Sequence, residues 1–235
     1  MENIWQTNQA GIAERYDAGL KRHMVGIYRT MALGLLVTGV VAWAVASTPA
    51  LTAAIFGTPL KWVAMLAPLA FVMFFSFRVD RMTTGGARAA FYGFSALMGV
   101  SLASLFLVFT GISIAQTFLI AAIMFGTVSL WGYSTNRDIS GWGSFLMMGV
   151  IGVVVASLVN IFLGSSVLHL IISLVGVAVF TALTAWDTQR AKSEYLAYAG
   201  TEAAEKLQVM SALGLYLNLI NLFQLLLTFT GQQRE

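Results

Sequence analysis

Seven nearly uncharged apolar stretches, each close to the length of a bilayer-crossing helix, restrict this chain to one broad class of fold. They run from Met24 to Ala46, Leu60 to Phe77, Ala89 to Phe109, Ser113 to Gly132, Trp142 to Leu163, Val167 to Trp186 and Val209 to Thr230. About 20 apolar residues in helical form cover the ~30 Å hydrocarbon core of a membrane. A helix also satisfies its own backbone there, which an open strand cannot do. Of the 235 residues, 58% are hydrophobic and 10% charged, where an ordinary soluble domain carries about 25% charged residues. The expected fold is therefore an all-α membrane protein with seven transmembrane helices. Residues 24–235 are expected to form one transmembrane domain behind a cytoplasmic N-terminal segment, 1–23. That segment holds Glu2, Glu14, Arg15, Asp17, Lys21 and Arg22 and no apolar core, so a cleaved leader is not expected.

The charges between the stretches set the orientation. Arg15, Lys21, Arg22 and Arg29 precede or begin the first span, Arg78, Arg81 and Arg88 follow the second, Arg137 follows the fourth, and Arg190, Lys192 and Lys206 follow the sixth. The alternate connections carry no cation except Lys61 at the start of the second span. Cytoplasmic loops hold the excess of Lys and Arg, which puts the N-terminus inside and, after seven crossings, the C-terminus outside. Five of the six tryptophans, Trp43, Trp62, Trp131, Trp142 and Trp186, fall near span ends, the depth an amphipathic ring prefers. Pro49 and Pro59 mark the first outer loop, and Pro68 is expected to kink the second span. The thirteen Lys and Arg form no basic stripe, so no nucleic-acid partner is expected. Cys is absent, which removes disulfide and thiolate chemistry.

Helices in lipid associate through small residues and interhelical hydrogen bonds. Ser95, Gly99 and Ala103 on the third span, and Gly149, Gly152, Ala156 and Asn160 on the fifth, read as packing seams. The seventh span differs: Ser211, Gly214, Asn218, Asn221, Gln224 and Thr228 recur at spacings of three and four along one side. An amide left without a partner in an apolar medium costs several kcal/mol, so this side must meet other helices or water. The sixth span carries a narrower stripe of Ser173, Gly176, Thr184 and Asp187. Two readings of Asp187 stand. It either lies solvated at the cytoplasmic end of its span, or continues the polar stripe and pairs with Arg78 at the end of the second span. Ionisable groups at membrane depth mark functional sites by default.

Three segments, "GYSTNRDISGWGSFLMMGVIGVVVASLVN" from Gly132 to Asn160, "LTAWDTQ" from Leu183 to Gln189 and "ALGLYLNLINLFQLLL" from Ala212 to Leu227, resemble the Bax inhibitor-1 family, in particular its bacterial inner-membrane members. The resemblance covers nearly the whole chain. It implies a seven-helix fold whose last helix is surrounded by the other six. It further implies a pH-sensitive calcium leak in which an acid on helix 6 and an acid on helix 7 act as proton sensor and gate. Asp187 matches the helix 6 acid, and Arg78 matches an arginine that ends helix 2 and can pair with it. The helix 7 acid falls on position 218, where this chain has Asn218. Two close carboxylates share a proton and titrate as a unit. An amide in place of one acid predicts a weaker pH response and one formal negative charge at the site.

The expected ion pathway is thus Asp187, gated with Arg78 and lined by Asn218 and Asn221. No cofactor is expected, and calcium or another cation is the transported species. Asp187 is the one candidate metal ligand. A lone carboxylate supplies few of the six to eight oxygens calcium prefers, which fits passage better than storage. The alternative is a membrane interaction protein that modulates an inner-membrane protease or a stress-response partner without conducting ions. Loop residues near Arg137 and Asp138, otherwise read as a helix cap, would then carry the phenotype. An enzyme is not expected: His23 and His169 have no second ligand at helical spacing and read as interfacial. The seventh span has no lysine for a retinal Schiff base.

Overall fold

In the computed structural model, which describes the backbone of residues 2–234 and the side chains of 18–79 and 81–234, the chain is helical throughout. The helices are α1 (Glu2–Ser47), α2 (Pro49–Phe56), α3 (Leu60–Arg78), α4 (Thr84–Leu102), α5 (Leu105–Val108), α6 (Gly111–Ser134), α7 (Gly143–Leu163), α8 (Ser166–Tyr198) and α9 (Glu202–Thr230). Seven segments are long and apolar enough to cross a membrane, in the order expected. The side chain of Arg15, counted above among the inner-loop cations, lies outside the described residues. α1 is continuous across residues 23 and 24.

Local chemistry sets the helix ends. The Thr83, Thr110 and Ser165 hydroxyls accept from the N–H groups of Gly86, Ser113 and Leu168 at 3.1, 3.3 and 3.2 Å, each satisfying one free donor of a first turn. α7 stops at Gly164, whose φ of 60° is the left-handed cap that favours glycine. Pro49 stands in the first turn of α2, where its missing N–H costs nothing. Pro68 sits buried inside α3.

α9 is the most buried span and α7 the least. α9 packs directly on α1, α4, α6 and α8, while α3 lies against α4, and α7 against α8. The expectation of a last helix ringed by six neighbours thus holds for four close ones, with α3 and α7 outside. The face of α9 carrying Leu215, Tyr216 and Leu222 is fully buried. Tyr216 meets Phe91 and Phe94 edge-on, at ring-centroid distances of 5.6 and 5.7 Å, and such pairs contribute about 0.5–1.5 kcal/mol each beyond area burial.

The expected seam on α4 forms. Ser95 and Ala103 are fully buried, and a Cβ on Gly99 would come within 2.7 Å of the Thr38 carbonyl of α1. The seam expected on α7 forms only at Gly149, which lies against Val179 of α8; Gly152 faces open space. Asn160 instead accepts from the N–H of Ser165 at 3.1 Å and fixes the α7–α8 turn. α8 and α9 run well past their expected inner ends, because the residues beyond the apolar runs still pack: Ala191 and Ala204 are buried. His23, expected at an interface, is buried and stacks on Tyr195 at 4.9 Å.

A close approach of α6 to α8 predicts the first outcome. A Cβ on Gly132 of α6 would lie 2.5 Å from the Ala185 carbonyl oxygen of α8, and overpacking of this kind costs typically 1–3 kcal/mol. Gly132→Val should lower the thermal unfolding midpoint of the purified protein. Gly126→Ala, where a Cβ meets nothing within 4 Å, should leave it unchanged.

Candidate functional site

Between α9 and the outer pair α3 and α7 lies a hollow of about 380 Å³. α8 supplies Asp187, Arg190 and Glu194 to it, α9 supplies Ser211 and Gly214, and α3 supplies Ser76. Asp187, Arg190 and Glu194 share the hollow because a helix returns to the same face at steps of three and four. Asp187 is partly buried, about three turns short of the end of α8. It is therefore not the solvated end-group of its helix.

The Asn218 side-chain N–H donates to Asp187 Oδ2 at 2.6 Å. Gly214, one turn away, faces the same oxygen, and a Cβ there would stand 3.6 Å from it, an ordinary contact. Arg190 Nε donates to Glu194 Oε1 at 2.6 Å, an i,i+4 ion pair. The Ser211 hydroxyl donates to Glu194 Oε2 at 3.4 Å. The site thus holds two carboxylates and one guanidinium, with Asp187 held by an amide and in neither of the ion pairs seen among the described residues.

Of the four expected pathway residues the structure brings together Asp187 and Asn218. Arg78 is placed otherwise: its guanidinium stacks over the Phe74 ring at 5.6 Å, exposed and in neither ion pair. The cation that faces Asp187 from its own helix is Arg190. Asn221 is half-buried, its side chain makes no hydrogen bond seen among the described residues, and it does not line the hollow. Glu194 adds a second carboxylate to the site and Arg190 offsets it, so Asp187, Glu194 and Arg190 together carry one formal negative charge. Asp187 belongs to no group of three or more His, Cys, Asp or Glu residues able to hold a metal, among the described residues. With the sixth span ended at Trp186, Arg190 reads only as a loop cation and Glu194 has no place; the spacing 187, 190, 194 is the signal that sets both on the face of Asp187.

The polar stripe of α8 is largely satisfied within its own helix. Ser173 and Thr184 donate to the carbonyls of His169 and Phe180 at 2.9 and 2.8 Å. Two further polar clusters join helices across the core. Thr38 of α1 donates to the Ser95 carbonyl at 2.8 Å and bonds the Tyr216 hydroxyl at 2.6 Å. Ser129 of α6 bonds Tyr28 at 2.6 Å and Thr188 at 2.9 Å.

On the far side of Asp187, α8 grips the α6–α7 connection. Gln189 accepts from the Ile139 N–H at 2.9 Å and donates to the Arg137 carbonyl at 2.8 Å. Trp186 Nε1 donates to the Ser140 carbonyl at 3.1 Å, and a Cβ on Gly143 would stand 2.6 Å from the Trp186 ring. Asp138 accepts from the Ser140 N–H at 2.9 Å, a turn ahead of α7 rather than the cap expected there, since the start of α7 has no side-chain cap, and that bond holds its carboxyl below the usual carboxylate range.

Comparison with known sequences follows the same segments. The profile of the family described as inhibitor of apoptosis-promoting Bax1 matches residues 20–235. An uncharacterized protein of Rickettsia prowazekii is 44% identical, covering 94% of this chain and 93% of that protein. An uncharacterized protein of Caulobacter vibrioides is 44% identical, covering 93% and 92% respectively. The inner membrane protein YbhL of Escherichia coli K12 is 41% identical, covering 92% and 94%.

The grip of Gln189 generates the second prediction. Gln189→Leu keeps the side-chain volume but strips the Ile139 N–H and Arg137 carbonyl of their partner; the exposed carbonyl can turn to water, while leaving the N–H of the buried Ile139 unpaired costs about 1–3 kcal/mol. The Ile139 amide should exchange with deuterium faster than in the wild type. Unchanged exchange would show that the loop is held by other contacts.

Proposed function

The chain belongs to the Bax inhibitor-1 family as a multi-pass protein of the inner membrane, and from that premise we propose that it is a pH-sensitive cation leak, with calcium as the ion conducted. The observation that carries this reading is Asp187: a carboxylate inside the bundle, bordering a hollow and held by the amide of Asn218 rather than by a cation. A carboxylate kept at membrane depth without a neutralising partner is costly, and a passing cation is the species that would offset it. Glu194 and Ser211 add oxygens along the same wall. The few carboxylates present suit transient contact rather than tight coordination, which takes six to eight oxygens.

Opening requires α9 to move. Beyond Asn218, its buried positions are Leu219, Ile220, Leu222, Phe223 and Leu227, and a dry apolar layer is a barrier to ions. In this reading the Asp187–Asn218 bond ties α9 to α8 in the closed form, and protonation of Asp187 removes the charge the amide holds. The arrangement Arg190–Glu194, rather than Arg78, is the neighbouring charge pair that senses the change.

Calcium entry into liposomes containing the purified protein should exceed that of empty vesicles and should differ between pH 6 and pH 8. Asp187→Ala should alter the rate. With one coupled proton the rate should change no more than about tenfold per pH unit, and Asn218→Asp should make the dependence steeper, because two close acids titrate as a unit. Entry equal to that of empty vesicles at both pH values would end the leak reading.

A further inference from the structure

The α6–α7 connection and the inner part of α8 enclose a second hollow, of about 350 Å³. Its walls carry three cations, Arg137, Arg190 and Lys192, against one acid, Asp138. Asp138 already accepts the Ser140 N–H. Arg137 is exposed and takes part in neither ion pair among the described residues. Lys192 makes one long bond, to the Tyr133 carbonyl at 3.3 Å, leaving two of its three donors. Arg190 commits Nε to Glu194 and rests on the Trp186 ring at 5.3 Å. With Arg190 paired to Glu194, Arg137 and Lys192 face Asp138 alone, an excess of one positive charge. The cavity is also preformed, because Gln189 and Trp186 pin the connection to α8 with three hydrogen bonds.

The hollow lies where the hydrocarbon region meets water. Trp186 forms part of its wall, and Trp142 begins the neighbouring span. Just beyond, α7 turns Phe145 and Met148 outward, 72% and 63% exposed, a flank that lipid tails cover. A ligand that combines a phosphate with acyl chains meets both features at once: the anion among the cations, the chains along α7. Basic pockets between transmembrane helices on the inner side bind acidic headgroups in this way, and guanidinium and ammonium groups form short charge-assisted bonds to phosphate.

We propose that this hollow binds the headgroup of an anionic phospholipid of the inner membrane. Arg190 borders both this hollow and the one at Asp187, so a bound headgroup competes with Glu194 for the same guanidinium. That consequence for the leak rests on the function proposed above; the binding itself does not.

The test is thermal unfolding of the full-length protein in neutral detergent, titrated with phosphatidylglycerol, with phosphatidylcholine, or with inorganic phosphate. Phosphatidylglycerol should raise the midpoint saturably, and the other two should not. Arg137→Gln with Lys192→Gln should weaken the apparent affinity about tenfold or more, equivalent to at least ~1.4 kcal/mol. Arg137→Gln alone, at an exposed loop position, should give a smaller loss, and Arg137→Lys should retain binding. Equal stabilisation by phosphatidylcholine, or full stabilisation of the double variant, would overturn the site. Equal stabilisation by inorganic phosphate would overturn the lipid assignment. None of these readouts measures ion flux, so a failed leak and a failed lipid site are told apart.

Discussion

A polar atom inside hydrocarbon has no water to fall back on, and this requirement orders the whole bundle. On α8 the hydroxyls of Ser173, Thr184 and Thr188 turn to the carbonyls of their own helix, one turn back. Where a polar side chain cannot do that, a neighbouring helix is recruited: Tyr216 to Thr38, Tyr28 to Ser129, Asn218 to Asp187. Each such bond is modest in isolation, about 1 kcal/mol net. Their placement matters more than their number, since each fixes the rotation of one helix against another. The central α9 is clamped this way to α1 and to α8 near its middle, through Tyr216 and Asn218.

Asp187 stands apart within this scheme because its partner is an amide. The hydrogen bond satisfies one oxygen and leaves the negative charge. Every other charge nearby is arranged in a neutral pair, with Arg190 and Glu194 closing on each other rather than on Asp187. The guanidinium is held between Glu194 and Trp186 and so lies between the two inner hollows. A change in either one reaches the other through a single side chain.

Much of this was legible in the sequence. The seven apolar runs give the spans because length and hydropathy alone decide what crosses a bilayer. The stripe on the last span correctly marked Asn218, and its meeting with Asp187 followed from two polar faces that needed each other. The family resemblance is confirmed over residues 20–235. What failed has a common cause: hydropathy marks where a helix leaves the membrane, and says nothing of where it stops. Ending the sixth span at Trp186 left Arg190 among the loop cations and gave Glu194 no place on the helix that carries Asp187. The Tyr216–Thr38–Ser95 cluster was not legible either, because single hydroxyls in apolar runs announce no partner. Gly152 misled for a related reason, since small residues at regular spacing describe a possible seam and not a used one.

The C-terminal tail carries one more consequence. The Thr110 N–H donates to the Gln232 carbonyl at 3.0 Å and the Arg234 N–H to the Val108 carbonyl at 2.9 Å, a short antiparallel bridge between Phe109 and Gln233. Just inside it, Thr230 bonds Thr117 at 2.6 Å. The distal end of the central helix is thereby moored to the α5–α6 corner, like a door post set in its sill. With that mooring intact the helix has no freedom to slide as a piston along its own axis. Its remaining motion is a pivot, largest at the opposite end, which is tied to α8 through Asn218–Asp187 near the middle of the helix and Ser211–Glu194 nearer that end.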